Sequence, residues 1–259
     1  MRQKILETII EALQPLDFAL ALWQGGSAAH RYTDEWSDLD IVVIVQDDAV
    51  QDAFDVVEKA LQTISKIRFK YRVPEPTWHG HSQCFYQLEG VSPFLAIDFA
   101  VMKISSPNRF LELERHGQSV VGFDKANLVV PVPLNQSEHF SKMAERFVEL
   151  KTTFDFLQTL VTKEINRGLL VEAVASYHTR TLQPLVELLG IIYRPYRYDF
   201  KGKYFSRDFP PEIIARVEPL FCVADLADLA KKQQLAETLF VETLPHAEEV
   251  FQDLSDIRL

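Results

Sequence analysis

Two carboxylates, Asp38 and Asp40, flank Leu39 at the entrance to the apolar run Ile41-Val42-Val43-Ile44-Val45. Read as a strand over 38–45, the stretch puts both acids on one side, with Cα atoms roughly 6.5–7 Å apart. Like charges that close raise each other's pKa unless a cation intervenes. A hard divalent ion suits them, because Mg²⁺ takes carboxylate oxygens together with the phosphates of a substrate. A third acid, Asp98, lies in Leu95-Ala96-Ile97-Asp98-Phe99-Ala100-Val101. On that strand Leu95, Ile97, Phe99 and Val101 form one face, and Asp98 shares the other with Ala96, Ala100 and Met102. An ionised carboxylate buried there alone would be costly, so it needs an ion pair, a metal or an open cleft. Arg68 or Lys70 would supply the ion pair; small Ala96 and Ala100 leave room for the cleft. Upstream, Gly25-Gly26-Ser27 follows an apolar strand predicted over 17–23. Glycine there permits a tight turn and close approach of backbone to ligand. Ser27-Ala28-Ala29-His30 reads as the start of a short helix whose free N–H groups favour a phosphate, or as a plain turn capped by Ser27.

Taken together, Gly26-Ser27, the interval 28–37 and Asp38-Leu39-Asp40 resemble the signature of the nucleotidyltransferase superfamily that includes DNA polymerase β and the aminoglycoside adenylyltransferases. Residues 34–40, Asp-Glu-Trp-Ser-Asp-Leu-Asp, are most similar to the small bacterial members, and Asp98 matches the third acid that the family carries on a later strand. The resemblance covers roughly the first half of the chain. It implies transfer of a nucleoside monophosphate from a nucleoside triphosphate, with ATP the expected donor, to a hydroxyl. It further implies two Mg²⁺ ions, with Asp38 and Asp40 as metal ligands and Asp98 as a ligand on the acceptor side or the general base. Gly25, Gly26 and Ser27 would then lie around the β- and γ-phosphates.

The remaining elements must hold these groups in place. Ile5, Leu6, Ile9, Ile10 and Leu13 predict a first helix over 2–14, stopped by Pro15. A second helix is expected over 49–64, with Val50, Phe54, Val57, Leu61 and Ile64 on one face. Lys66–Val73 alternates as a half-buried strand, with Ile67, Phe69 and Tyr71 opposite Lys66, Arg68, Lys70 and Arg72. His79-Gly80-His81 reads as a polar loop near the site, with no evident third metal ligand. Strands follow over 83–89 and 94–103, then a short helix over 107–117 and one or two strands over 119–132 broken at Gly122. Pro131 and Pro133 mark a boundary.

Beyond it the pattern changes. Phe140, Met143, Phe147, Leu150, Phe154, Leu157 and Val161 recur in steps of three and four, predicting a long helix capped near Asn135 or Ser137 and ended by Gly168. That stripe serves bundle packing or a homodimer equally well. Another helix is expected over 169–189 with a kink at Pro184, and more over 211–221 and 224–254. The fold class is therefore α+β: a mixed-sheet nucleotidyltransferase-like domain over 1–134 and an α-helical bundle over 135–259, expected to bind substrate. Between the helices, 193–209 interleaves Arg194, Arg197, Lys201, Lys203 and Arg207 with seven aromatic residues. Lys201, Lys203 and Arg207 are candidates for nucleotide phosphate, with the aromatics as stacking surfaces. Alternatively the loop is structural, its cations paired with Asp199 and Asp208.

The domain order is similar to the aminoglycoside and lincosamide adenylyltransferases, in which the helical half helps hold the drug, so a small antibiotic-like acceptor is expected. Adenylylation of a protein or RNA partner, as in antitoxin-like members, and a non-catalytic nucleotide-binding module are the alternatives; Asp98 weighs against the last. At 259 residues, 47% hydrophobic and 25% charged, the composition is that of an ordinary globular protein. A net charge of −10 disfavours non-specific nucleic-acid binding. Two cysteines without metal spacing fit a reducing cytoplasm, and no apolar run approaches the ~20 residues a membrane span needs.

Overall fold

The computed structural model describes residues 1–256. The chain divides into two compact units, Met1–Leu134 and Asn135–Leu259.

The first unit is built on a six-stranded mixed sheet. In chain order it comprises α1 (Arg2–Leu13), β1 (Ala19–Gln24), α2 (Gly26–Ala29), β2 (Leu39–Val45), α3 (Val50–Ile64), β3 (Ile67–Arg72), β4 (Ser82–Leu88), β5 (Ile97–Lys103), α4 (Leu113–His116) and β6 (Val120–Asp124). The strand order is β3-β4-β5-β2-β1-β6. β2 and β5 run parallel at the centre, and the other neighbours are antiparallel. Their β-branched, near-continuous apolar sequences suit a doubly flanked position. One sheet face carries Leu39, Ile41, Val43, Ile97, Phe99 and Val101, which pack with Ile5, Ile9 and Leu13 of α1 and Phe54, Val57 and Leu61 of α3. On the other face Ala21, Trp23, Ile44 and Met102 are covered by Leu111 and Val129.

Several local expectations are corrected. Phe69 and Tyr71 are exposed, whereas the Arg72 guanidinium lies over the Phe54 ring at 3.5 Å and Lys70 pairs with Glu58 of α3 at 2.5 Å. The cause is a register shift between Ile67 and Phe69 on an edge strand, which exchanges the faces of the residues beyond it. Of the helix expected over 107–117 only Leu113–His116 forms. There Asn108 Oδ1 accepts the Phe110 N–H (3.0 Å) and Phe110 takes a φ of 53°, a turn that a helix cannot continue. β6 continues past Gly122, but its pairing with β1 shifts register there, Leu22 facing Phe123 and Trp23 facing Val121, and a Cβ on residue 122 would press on Ile10 and Leu22. The strand ends where the Asp124 carboxylate gathers the N–H groups of Ala126, Leu128 and Val129.

The second unit is helical: α5 (Gln136–Asn166), α6 (Leu170–Tyr177), a π-helical turn (His178–Leu182), α7 (Gln183–Tyr193), a 3₁₀ segment (Pro195–Phe200), α8 (Phe205–Asp208), α9 (Pro211–Val217), a second 3₁₀ segment (Glu218–Phe221) and α10 (Leu226–Asp256). Asn135 caps α5 by accepting the Glu138 N–H (3.2 Å), and the predicted stripe is buried at Phe140, Met143, Phe147, Leu150, Phe154 and Val161, while Leu157 is half-buried beside the buried Gln158. The helix expected over 169–189 is interrupted one turn before Pro184. Proline has no N–H for the carbonyl of Arg180, four residues back. Buried Gln158 of α5 donates its amide to that carbonyl (3.0 Å) and accepts from Thr181 Oγ1 (2.6 Å), replacing the missing bond from another helix. Among the described residues no helix is long and apolar enough to cross a membrane.

Candidate active site

Because Leu39 and Ile41 on β2, and Ile97 and Phe99 on β5, face α1 and α3, period-two alternation sends Asp40 and Asp98 to the opposite face. The two are direct register partners on parallel neighbours, with strand axes about 4.8 Å apart. The row continues outward to Phe85 on β4 and Tyr71 on β3. Asp38 falls just ahead of β2, exposed, in the segment entering the strand rather than within it. The strand begins only at Leu39, whose N–H donates to the Ala96 carbonyl (2.8 Å).

Gly25 and Gly26 lie directly against Asp40. The Gly25 N–H donates to the Asp40 carbonyl (3.1 Å), and Gly26 has a φ of 53°. A Cβ on residue 26 would collide with the Asp40 carboxylate oxygen Oδ2. The glycine is thus required twice over, for the left-handed backbone and for the acid packed on it. The expected helix after the turn is a single turn, Gly26–Ala29, too short for a substantial dipole. What it presents is the Ser27 hydroxyl, buried and without a hydrogen-bond partner among the described residues.

The Asp98 carboxyl is pushed up to about 6. Burial is the main cause, the charges of Asp40 and Asp38 add to it, and a hydrogen bond from Gln83 Nε2 (2.7 Å) opposes it. The alternative, an ion pair with Arg68 or Lys70, does not form: β4 separates β3 from β5, and Lys70 is engaged with Glu58. A cation that senses the acids is Arg2. Its Nη1 donates to the Ser37 carbonyl (2.7 Å), and its Nη2 is buried without a partner. Burial lowers the Arg2 pKa, while the fields of Asp40, Asp38 and Asp34 raise it. Sequence reasoning missed this residue. A signal was present, since a cation in the first turn of a helix opposes the helix dipole and needs another reason to be there.

Lys201, Lys203 and Arg207 belong to the second unit, not to the one that holds the acids. All three are exposed. The Lys201 and Lys203 carbonyls both accept from Arg194, and the Lys203 ammonium lies 5.0 Å from the Tyr204 ring centroid. Arg194 itself is buried. It pairs with Asp208 (3.4 Å), which Arg197 also reaches (3.2 Å), and stacks over Phe209 at 4.7 Å. Of the two readings of the loop, this core is the structural one.

Among the described residues no three His, Cys, Asp or Glu side chains are grouped to hold a metal ion by themselves. The pair Asp40–Asp98, with Asp38 acting on it through its charge, is nevertheless an all-oxygen donor set. Mg²⁺ characteristically takes one or two carboxylates and completes its shell with water and substrate phosphate rather than a protein cage, so these residues fit it.

No family model matches the chain, and no curated protein matches it in sequence. Among solved structures, it is similar to an aminoglycoside 6-adenyltransferase from Bacillus subtilis (13% identity, TM-score 0.40, covering 97% of this chain and 92% of that one). It is also similar to a spectinomycin adenyltransferase from Enterococcus faecialis in complex with ATP and spectinomycin (10% identity, TM-score 0.36, 95% and 99%). A third is a cyclic dinucleotide synthase from Elizabethkingia meningoseptica (13% identity, TM-score 0.28, 97% and 91%). At these scores the likeness adds nothing to the site, which stands on its own residues.

Proposed function

We propose that the first unit catalyses nucleotidyl transfer from a nucleoside triphosphate, with ATP the preferred candidate, to a hydroxyl of a small, antibiotic-like acceptor. The observation that supports this best is the register pairing of Asp40 with Asp98 beside a glycine turn that only glycine can make. Asp38, Asp40 and Asp98 would hold magnesium, which when bound makes the acceptor hydroxyl more acidic and offsets charge gathering on the α-phosphate. Asp98, whose carboxyl is pushed up by burial, acts on the acceptor side, as a metal ligand or as the general base that takes the hydroxyl proton. The acceptor oxygen then bonds to the α-phosphorus as the bond to pyrophosphate breaks, and pyrophosphate leaves. Ser27 Oγ supplies a hydrogen bond to the departing phosphates, and Gly25 and Gly26 let the backbone approach them. Arg2 restrains the segment carrying Asp38 through Ser37. Lys201, Lys203 and Arg207 remain candidates for closing charge around the nucleotide.

The test uses α-³²P-labelled ATP, GTP, CTP and UTP with Mg²⁺, offered with aminoglycosides, lincosamides and a cell extract. A labelled small-molecule adduct is expected, and it should vanish in Asp40→Ala and Asp98→Ala. A variant of either acid that keeps full turnover would sink the assignment, and label on a protein or RNA instead would move the acceptor to a macromolecule.

A further inference from the structure

The Asp98 carboxylate has one side-chain hydrogen-bond partner among the described residues, and that partner is itself held. Gln83 is half-buried on β4, on the face that carries the acids, and donates Nε2–H to Asp98 Oδ1 at 2.7 Å. Its other amide atom, Oε1, lies 3.2 Å from His79 Nε2. An amide can be turned either way, and the turned form would aim a carbonyl oxygen at the carboxylate. His79 decides between them. The His81 backbone N–H points at His79 Nδ1 (3.1 Å), so Nδ1 is an acceptor and the ring proton sits on Nε2. Thr77 Oγ1 lies near Nδ1 as well, but its own proton goes to the His81 carbonyl at 2.6 Å. Nε2–H therefore donates to Gln83 Oε1, leaving the amide nitrogen for Asp98. One directed chain runs from the loop backbone through imidazole and amide to the acid.

We infer that Gln83 is the positioning residue for Asp98, and that His79 fixes the sense of its amide. One carboxylate oxygen is tied down and the other stays turned toward Asp40 and the bound cation. The inference rests on the reading of these acids as a divalent-cation site. It also gives His79-Gly80-His81 a role: the loop orients a ligand and does not bind the ion itself. Outer partners of metal ligands act in this way, and their loss typically weakens metal affinity by about 10- to 100-fold.

Two measurements on the full-length protein test it. In protein labelled with ¹⁵N-glutamine, the Gln83 side-chain amide should give a dispersed NH₂ pair. That pair should move in Asp98→Ala and His79→Phe and hold its place in His79→Gln, which keeps a donor. A Gln83 signal at the free-amide position, unmoved by either loss, would overturn the inference. In the second, Mn²⁺ is titrated by EPR in the presence of α,β-methylene-ATP. Gln83→Met and His79→Phe should each weaken binding about 10-fold or more, with His79→Gln near wild type. Wild-type affinity in Gln83→Met, or His79→Gln as weak as His79→Phe, would refute the positioning role. Wild-type protein that binds no Mn²⁺ while the Gln83 signal behaves as expected would instead defeat the cation reading of the acids and leave the hydrogen-bonded chain established. Methionine keeps the length and shape of glutamine, so the strand is retained, and circular dichroism of each variant confirms it.

Discussion

Replacing Asp98 with asparagine should stabilise the metal-free protein at neutral pH while abolishing transfer. The Asp98 carboxyl gives up its proton at about 6 in the fold against an ordinary 3.8, burial being the chief cause. Between those values the folded state binds the proton and the unfolded state does not, so stability falls as pH rises. The contribution is fully present below 3.8 and lost once pH has passed 6. The gap corresponds to about 3 kcal/mol, and about 2 kcal/mol is expected after allowing for the solvent that still reaches the group. The asparagine of Asp98→Asn would keep an acceptor for Gln83 Nε2 and carry no charge at any pH. The variant should therefore exceed wild type by about 2 kcal/mol at about pH 7.5 and converge with it near about pH 4. The assay is urea unfolding in EDTA at a series of pH values. Tryptophan fluorescence is the probe, because Trp23, Trp36 and Trp78 all lie in the first unit. Equal stabilities at neutral pH, or a difference that does not change with pH, would refute the view that Asp98 is held ionised at a cost.

Gly26→Ala should displace the Asp40 carboxylate and strain a left-handed backbone, costing about 1–3 kcal/mol by urea unfolding and removing the labelled adduct. Retained transfer would show that the close packing of glycine on Asp40 is dispensable. In the second unit, Arg194→Ala should cost about 3 kcal/mol, read from the helical circular dichroism signal during thermal unfolding, because it strips the buried Asp208 of one of its two cations. Arg194→Met combined with Arg197→Met and Asp208→Leu should recover much of that loss, since all three ions are then replaced by apolar side chains and no charge is orphaned.

The parts of this molecule that were legible in sequence are those encoded by short periods. Alternation within Leu95–Val101 put Asp98 on the face away from the helices, and steps of three and four marked the stripe on α5. Where a single local event breaks the period, the reading fails. The shift between Ile67 and Phe69 turned Tyr71 outward, and the Asn108 turn removed most of a helix. The interruption before Pro184 was displaced by a turn because its compensation, the amide of Gln158, comes from another helix. Within 193–207 composition shows charge but not burial: Arg194 and Arg197 are occupied with Asp208, whereas Lys201, Lys203 and Arg207 are exposed.

The site adds a different kind of illegibility. Asp40 and Asp98 were recognisable as acids on strands, yet their pairing depends on β2 and β5 being parallel neighbours in one particular register. The same register decides who else reaches them. Inserting β4 between β3 and β5 removes Arg68 and Lys70 from Asp98 and brings Gln83 to it, exchanging a possible ion pair for a neutral donor. The exchange has a chemical consequence. An adjacent guanidinium or ammonium would hold the Asp98 pKa down and make the carboxylate a poor base, whereas one amide hydrogen bond leaves burial and the two neighbouring acids in control. A carboxylate kept costly and basic in this way gains from a divalent cation or from an incoming proton. Strand order, more than the identity of any one acid, is what leaves the Asp98 carboxylate costly to ionise beside Asp40.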